Sequence, residues 1–314
     1  MNDRQQAFKT GARIGDELTV LGVLDKGGEE PVYIVWHHGA WCYLACKVFR
    51  SSRSAKREAD YLSAMAHPNI VRFFGLSKPA NLLTELLDGP VLSQMIREHP
   101  KRRLSVSDAM RVAIHVGGAL DYMHSKGVLH LDVKPHNVIV AFGGRPVLYD
   151  FGSARPVGAP RPSDISGTDP YIAPEECLRE SVTSAADVFG LGVTLYEMLT
   201  GEVPFLGPNP FIVMNDRLLN NPTPPRELDP TISPQLQEII YRAMEREPKN
   251  RYQRASEFAH DLDHQEEVGV ADRAELHNWK VKRSPWPRKI AFYVAMALIP
   301  IVVFGLLLWV ARHS

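Results

Sequence analysis

From Ile290 to Val310 the chain runs for 21 residues without a charged side chain, dominated by Ile, Leu, Val, Ala and Phe. At roughly 1.5 Å per residue, a helix of that length spans roughly 30 Å, the thickness of a bilayer's hydrocarbon core. A buried core helix is the plainer alternative, but a core helix this long ordinarily carries a polar stripe. Tyr293 and Trp309 sit near the two ends, where amphipathic rings favour the water–lipid interface. Lys280, Lys282, Arg283, Arg288 and Lys289 precede the run, and after it only Arg312 remains. The positive-inside bias therefore puts the body of the chain in the cytoplasm. The expectation is a single-pass, tail-anchored protein: a basic juxtamembrane linker at 264–289, a transmembrane helix at 290–310 and a short tail at 311–314.

The remaining body is long enough for one two-lobed domain. With 36 basic and 36 acidic residues the formal net charge is zero, which argues against a nucleic-acid partner, since such binding needs an excess of Lys and Arg. Cys42, Cys46 and Cys177 form no C-x-x-C pair and read as thiols of a reducing compartment, not as a disulfide frame or zinc site. The polar stretch Met1–Gly15 has no apolar run of the kind a signal peptide needs.

The body divides by element type. Leu18–Leu24, Pro31–Trp36 and Cys42–Phe49 read as strands, Val71–Gly75 and Asn81–Leu87 as two more, all rich in apolar and β-branched residues. Between them Ser54–Ala66 has helical spacing, with Ala55, Ala59, Leu62 and Ala66 on one face and Pro68 as its stop. Asp88-Gly89-Pro90 is a turn signal and a lobe boundary. Beyond it Ser107–Lys126, Ala185–Thr200, Pro234–Glu245 and Gln253–Asp263 read as helices, with strands at Val138–Val140 and Val147–Tyr149. The expected organisation is an N-terminal leader at 1–17, a small β-rich lobe at 18–88 and a larger helical lobe at 89–263, an α+β arrangement.

The strongest chemical signal is Val128-Leu129-His130-Leu131-Asp132-Val133-Lys134-Pro135-His136-Asn137, followed by Asp150-Phe151-Gly152. An Asp and an Asn five residues apart on one loop, with a second Asp beyond the next hairpin, suit phosphoryl transfer: one carboxylate accepts a hydroxyl proton, and the other oxygen donors hold a hard cation against phosphates. This run resembles the catalytic loop and metal-binding triplet of protein kinases. The resemblance covers about Leu18 to Asp263 and implies a two-lobed kinase fold. It implies that Asp132 is the base, that Lys134 neutralises the transferred phosphoryl group, and that Asn137 and Asp150 are ligands of Mg²⁺ or Mn²⁺. Lys134, two residues after the Asp, is similar to the Ser/Thr rather than the Tyr pattern. Leu44-Ala45-Cys46-Lys47 resembles the third-strand lysine motif, which implies that Lys47 pairs with Glu58 and points at the phosphates of ATP. It also implies that Gly27, Val32 and Ala45 line the nucleotide, with Thr84 as gatekeeper and Glu85 and Leu87 offering backbone groups to adenine. Tyr171-Ile172-Ala173-Pro174-Glu175, Asp187 and Arg251 match structural parts of the family: Asp187 braces the catalytic loop and Arg251 pairs with Glu175.

Two departures stand out. The family's glycine-rich phosphate loop falls on Asp25, Gly27, Glu30 and Val32, so acidic residues replace two of three glycines. That puts negative charge beside a polyanion, and Pro31 stiffens the loop. Leu131 stands where kinases switched by phosphorylation carry Arg, so a phosphate at one of the candidates Ser153, Ser163 and Ser166 would lack its usual receptor, while the fourth, Thr168, reads as a structural contact of Asp132 and Lys134. The sequence reading is an ATP-dependent Ser/Thr protein kinase acting on protein substrates, with self-association for trans-autophosphorylation, on the cytoplasmic face of a membrane. The plan resembles bacterial membrane kinases, which implies a bacterial inner membrane. The alternatives are a membrane-anchored pseudokinase scaffold, which the altered loop favours and the retained Lys47, Glu58, Asp132, Asn137 and Asp150 oppose, and a small-molecule kinase, against which the Pro170–Glu175 platform counts.

Overall fold

The computed structural model describes residues 8–25, 30–159, 170–178 and 180–271. Six antiparallel strands form the first lobe: β1 (Arg13–Ile14), β2 (Leu18–Asp25), β3 (Val32–His37), β4 (Cys42–Val48), β5 (Phe73–Ser77) and β6 (Asn81–Glu85), in the order β1-β2-β3-β4-β6-β5. Successive side chains of a strand face opposite sides. Leu18 and Val20, Tyr33 and Val35, and Leu44 and Cys46 therefore share one buried face, joined by Ile14 and Leu83. β1 lies in the segment that the sequence pattern leaves as a leader. It is short, and its place comes from pairing Arg13 with Thr19 and Ile14 with Leu18.

Between β4 and β5 lies helix α1 (Ser52–Ser63), which buries Ala55, Glu58, Ala59 and Leu62. That i, i+3, i+4, i+7 set is the inward stripe of an amphipathic helix, and a glutamate is part of it. The helix stops well before Pro68, and Ala66 is exposed rather than on the buried face. Hydrogen bonds from Ala64 N to Tyr61 O and from Met65 N to Leu62 O tighten the last turn, turning Met65 inward instead. β5 starts later than the pattern suggests. Ile70 and Val71 are held by Leu148 of the other lobe, with Val71 N donating to Leu148 O at 3.0 Å.

The second lobe is mostly helical: α2 (Leu92–Glu98), α3 (Val106–Ser125), α4 (Pro174–Cys177), α5 (Ser184–Thr200), α6 (Pro210–Leu219), α7 (Pro225–Leu228), α8 (Pro234–Ala243) and α9 (Ala255–Asp263). Two small ribbons accompany them, β7 (Val128–Leu129) with β10 (Arg155–Pro156) and β8 (Val138–Ala141) with β9 (Arg145–Leu148). Every residue of α5 from Ala185 to Tyr196 is buried, as expected of a helix apolar all round. It is capped by the Thr183 hydroxyl at its start and by Gly201 at φ +78° at its end. A side chain at Gly201 would meet Arg102 O at 2.4 Å, so both the backbone angle and the space require glycine. The turn between lobes is tied to β8: Val140 N donates to Pro90 O at 3.0 Å and Phe142 N to Asp88 O at 2.8 Å. A Cβ on Gly89 would lie 2.1 Å from Val140 O, so glycine permits the approach.

Among the described residues no helix is long and apolar enough to cross a membrane. The 290–310 run lies outside them, as do the linker from residue 272 onward and the tail.

Deep in the second lobe Arg251, fully buried, donates to both oxygens of Glu175 at 2.7 Å. Its remaining donors reach the carbonyls of Glu245 (2.6 Å), Ala185 (3.0 Å) and Arg246 (2.9 Å), and its plane lies 4.9 Å from the Phe189 ring. Removing one partner leaves an uncompensated buried charge, which costs about 3–5 kcal/mol. Arg251→Met is expected to lose stability on that scale in urea unfolding. The double change Arg251→Met with Glu175→Leu should recover part of it, because neither charge is then stranded.

Candidate active site

Lys47 sits on β4 directly across from Val32 of β3, and its side chain emerges on the face opposite the lobe's core. Its ammonium donates to Asp150 Oδ1 at 2.9 Å and to Glu58 Oε2 at 3.0 Å. Glu58 is carried inward on α1 and is 3% exposed. Burial pushes its carboxyl up to about 7; the Lys47 charge opposes this, while the charges of Asp150 and Glu30 add to it. On Lys47, burial works against the charged form, but the charges and hydrogen bonds of Asp150 and Glu58 overcome it and raise the ammonium above its ordinary value. Asp150 keeps 36% of its side-chain surface exposed; desolvation would raise its carboxyl, yet Lys47, the Gly152 amide and the His130 charge hold it below the usual carboxylate range. It sits at φ +66°, a left-handed conformation uncommon for Asp that persists where surrounding contacts enforce it. Here those contacts are Lys47 and Gly152 N.

The loop from His130 to Asn137 is braced from below by Asp187 of α5. Its carboxylate accepts from His130 N at 2.9 Å, from Leu131 N at 2.7 Å and from His124 Nε2 at 2.8 Å. Burial alone would raise this carboxyl; the His124 hydrogen bond and charge, with the His130 charge and amide, reverse the direction and keep it ionised. The two amide bonds hold Leu131 at φ +59°. A left-handed leucine costs on the order of 1–3 kcal/mol, so the brace fixes the direction in which the next residue, Asp132, leaves the loop. Asp132 Oδ1 meets Lys134 Nζ at 2.7 Å, and Asn137 Nδ2 donates to Asp132 Oδ2 at 2.7 Å and to its carbonyl at 2.8 Å.

The structure thus brings together Lys47, Glu58 and Asp150 in one group and Asp132, Lys134 and Asn137 in another. Val32 pairs with Lys47, and Ala45 pairs with both Ile34 and Thr84 in the same sheet. Glu85 uses its N–H on Arg72 O and its carboxylate on Arg72 N and Arg145, and Leu87 lies half-buried before the Asp88 turn. Gly27 lies outside the described residues, as do Ser163, Ser166 and Thr168. With the Asn137 amide nitrogen committed to Asp132, its oxygen and the Asp150 carboxylate are the hard donors of the site. This donor chemistry fits Mg²⁺, which takes one or two protein oxygens and completes its shell with phosphate and water. Among the described residues no three His, Cys, Asp or Glu side chains converge as a metal site. Cys46, beside Lys47 in sequence, faces the lobe's core, and burial pushes its thiol up to about 12; none of the three cysteines forms a disulfide.

Sequence reasoning places Glu30 on the phosphate loop but misses its contact with Lys47, and it misses two further contributors. Glu30 reaches Lys47 at 3.4 Å. His124 supports Asp187 from a different helix, and Arg57 donates to Gly152 O at 3.0 Å. Each is a charged or polar residue on an exposed or amphipathic stretch, and no local spacing separates it from a solvated neighbour.

The sequence profile of the protein kinase domain matches residues 18–262. The serine/threonine-protein kinase PknB of Mycobacterium leprae is 29% identical over 272 residues, covering 81% of this chain and 43% of that protein. A probable serine/threonine-protein kinase of Clostridium perfringens is 29% identical over 267 residues, with 81% and 39% covered. The chain thus spans about two fifths of the length of these relatives. The crystal structure of the Mycobacterium tuberculosis PknI kinase domain superposes with a TM-score of 0.65 at 27% identity, covering 83% of this chain and all of that one. A lysine held by a helix glutamate and a second aspartate, an aspartate–lysine–asparagine loop braced from α5, and a profile that spans both lobes agree: this chain belongs to the protein kinase family.

Proposed function

We propose that the protein is an ATP-dependent Ser/Thr protein kinase tethered to the cytoplasmic face of a membrane. The observation that carries this reading is the intact pairing of Lys47 with Glu58 and Asp150 beside Asp132, Lys134 and Asn137. A chain serving only as a scaffold has no chemical need for both sets. Lys47 and the backbone at Gly27 would hold the phosphates, and Ala45, Val32, Glu85 and Leu87 the nucleoside. Asp132 accepts the proton of a Ser or Thr hydroxyl as the new oxygen–phosphorus bond forms and the bond to ADP breaks. Lys134, 2.7 Å from Asp132, neutralises charge on the moving phosphoryl group. A Mg²⁺ or Mn²⁺ ion on Asn137 and Asp150 would screen the phosphates. Membrane tethering rests on the uncharged run at 290–310 and its basic flank. The resemblance to bacterial kinases makes the inner membrane the expected location. Tethering also concentrates copies on one surface and so favours self-association and trans-autophosphorylation.

Full-length protein with labelled ATP and Mg²⁺ should incorporate label on Ser or Thr. Asp132→Asn should lower incorporation by about 10²–10⁴-fold, the usual contribution of a positioned base, and Lys47→Met should act similarly. Equal labelling of Asp132→Asn and wild type would remove the phosphotransfer reading.

The Glu58 carboxyl at about 7 sets a pH dependence. Below that pH it takes up a proton and Lys47 loses a charged partner, so the rate should rise as pH increases through about 7. Its ordinary value is 4.5. Because the folded protein therefore binds the proton more tightly, stability should move the other way, falling as pH rises from about 4.5 to about 7. A pH–rate profile of Glu58→Gln should lack this limb, whereas an unchanged limb would assign it to another group.

Deleting Trp286–Ser314 should move the protein from the membrane fraction to the soluble one. Retention of the truncated chain after alkaline carbonate extraction would count against the anchor.

A further inference from the structure

Lys47 meets three carboxylates, and they are not equivalent. Glu58 is 3% exposed and also accepts from Phe151 N at 3.3 Å. Asp150 is fixed by its left-handed backbone and by Gly152 N. Glu30 differs: among the described residues Lys47 is its one ion-pair partner, at 3.4 Å, the longest of the three contacts.

Its position follows from the strand pairing. The chain bends at Glu30, two residues before Val32, whose cross-strand partner is Lys47. A glycine here places nothing on that ammonium. A glutamate places a carboxylate on it, diagonally across the two strands.

With three carboxylates around one ammonium, the cluster carries more negative than positive charge. A nucleotide phosphate that binds Lys47 has to take the place of one of them. The two held by other bonds stay, and the one held by the longest contact leaves. Resting on the kinase reading, we propose that Glu30 is a tethered competitor of the nucleotide: its carboxylate occupies the phosphate-binding position of Lys47 in the nucleotide-free protein and is displaced when a polyphosphate arrives. Glu30 is thus a specificity-determining residue. It lowers apparent affinity for ligands that bind through phosphate and leaves the nucleoside contacts untouched. The apparent dissociation constant rises in inverse proportion to the fraction of molecules whose Lys47 is free of Glu30.

The test is equilibrium binding of Mg-ATP, Mg-ADP and adenosine to the full-length chain in detergent micelles, as wild type, Glu30→Gln and Glu30→Gly. Glutamine keeps the length and removes the charge; glycine removes the side chain. Both variants should bind Mg-ATP about fivefold or more tightly, corresponding to a Lys47 free in one molecule of five or fewer. Adenosine affinity should stay within about twofold of wild type. Steady-state assays of the same proteins should show a lower KM for ATP at unchanged kcat, the signature of altered ground-state binding. Unchanged or weakened Mg-ATP binding in Glu30→Gln would overturn the proposal and make Glu30 a spectator or an aid to the metal. An equal gain for adenosine would overturn it as well, because the effect would then lie in the shape of the pocket. Binding is read without turnover, so an Asp132→Asn chain that labels like wild type would remove the phosphotransfer reading while leaving this competition measurable.

Discussion

An ammonium group at Lys47 gathers carboxylates from α1, from the turn after β9 and from the segment before β3. Among the described residues no other contact of the site joins as many parts of the chain. Glu58 can be buried on an otherwise apolar helix stripe only because a cation meets it there, since an isolated buried carboxylate would be neutral or expelled. Asp150 can hold a left-handed backbone only where such contacts enforce it. Take the lysine away and α1 loses the partner that compensates its one buried charge, while the Asp150–Gly152 turn loses the contact that aims it.

The loop carrying Asp132 depends on a second buried carboxylate that plays no chemical part. Asp187 sits within a helix buried on all sides, where an unpaired charge would be costly. Three donors compensate it, two of them backbone amides of the loop itself. The same bonds therefore satisfy the helix and hold the strained Leu131. Leu131 is 7% exposed. An uncharged side chain at this buried position needs no anion to neutralise it, so the geometry of Asp132 stands without a phosphate on the segment that follows.

Much of this is legible in the order of the amino acids. The alternation in β2 to β4 and the spacing in α3, α5 and α8 place those elements to within a few residues, because each buries a regular face and local pattern is enough to show it. The Asp132–Asn137 loop and Asp150 are legible for a different reason: their motifs resemble those of the protein kinase family, and a base with hard oxygen donors suits phosphoryl transfer. Less legible are Arg13–Ile14, too short to carry a period, and the start of β5, where Ile70 and Val71 look like strand residues of the first lobe but bond to Leu148 of the second.

By itself the sequence determined which residues are chemically able to act and that the 290–310 run carries no charge, since these depend on residue type and near-neighbour order alone. Only the tertiary structure decided how the charges are shared. That Glu30 and not solvent faces Lys47, that His124 completes the support of Asp187, and that Glu58 titrates far from its ordinary range all follow from burial and from contacts between residues distant in the chain. Electrostatic energies depend on distance and on the water excluded between partners, and neither quantity exists until the strands and helices have packed.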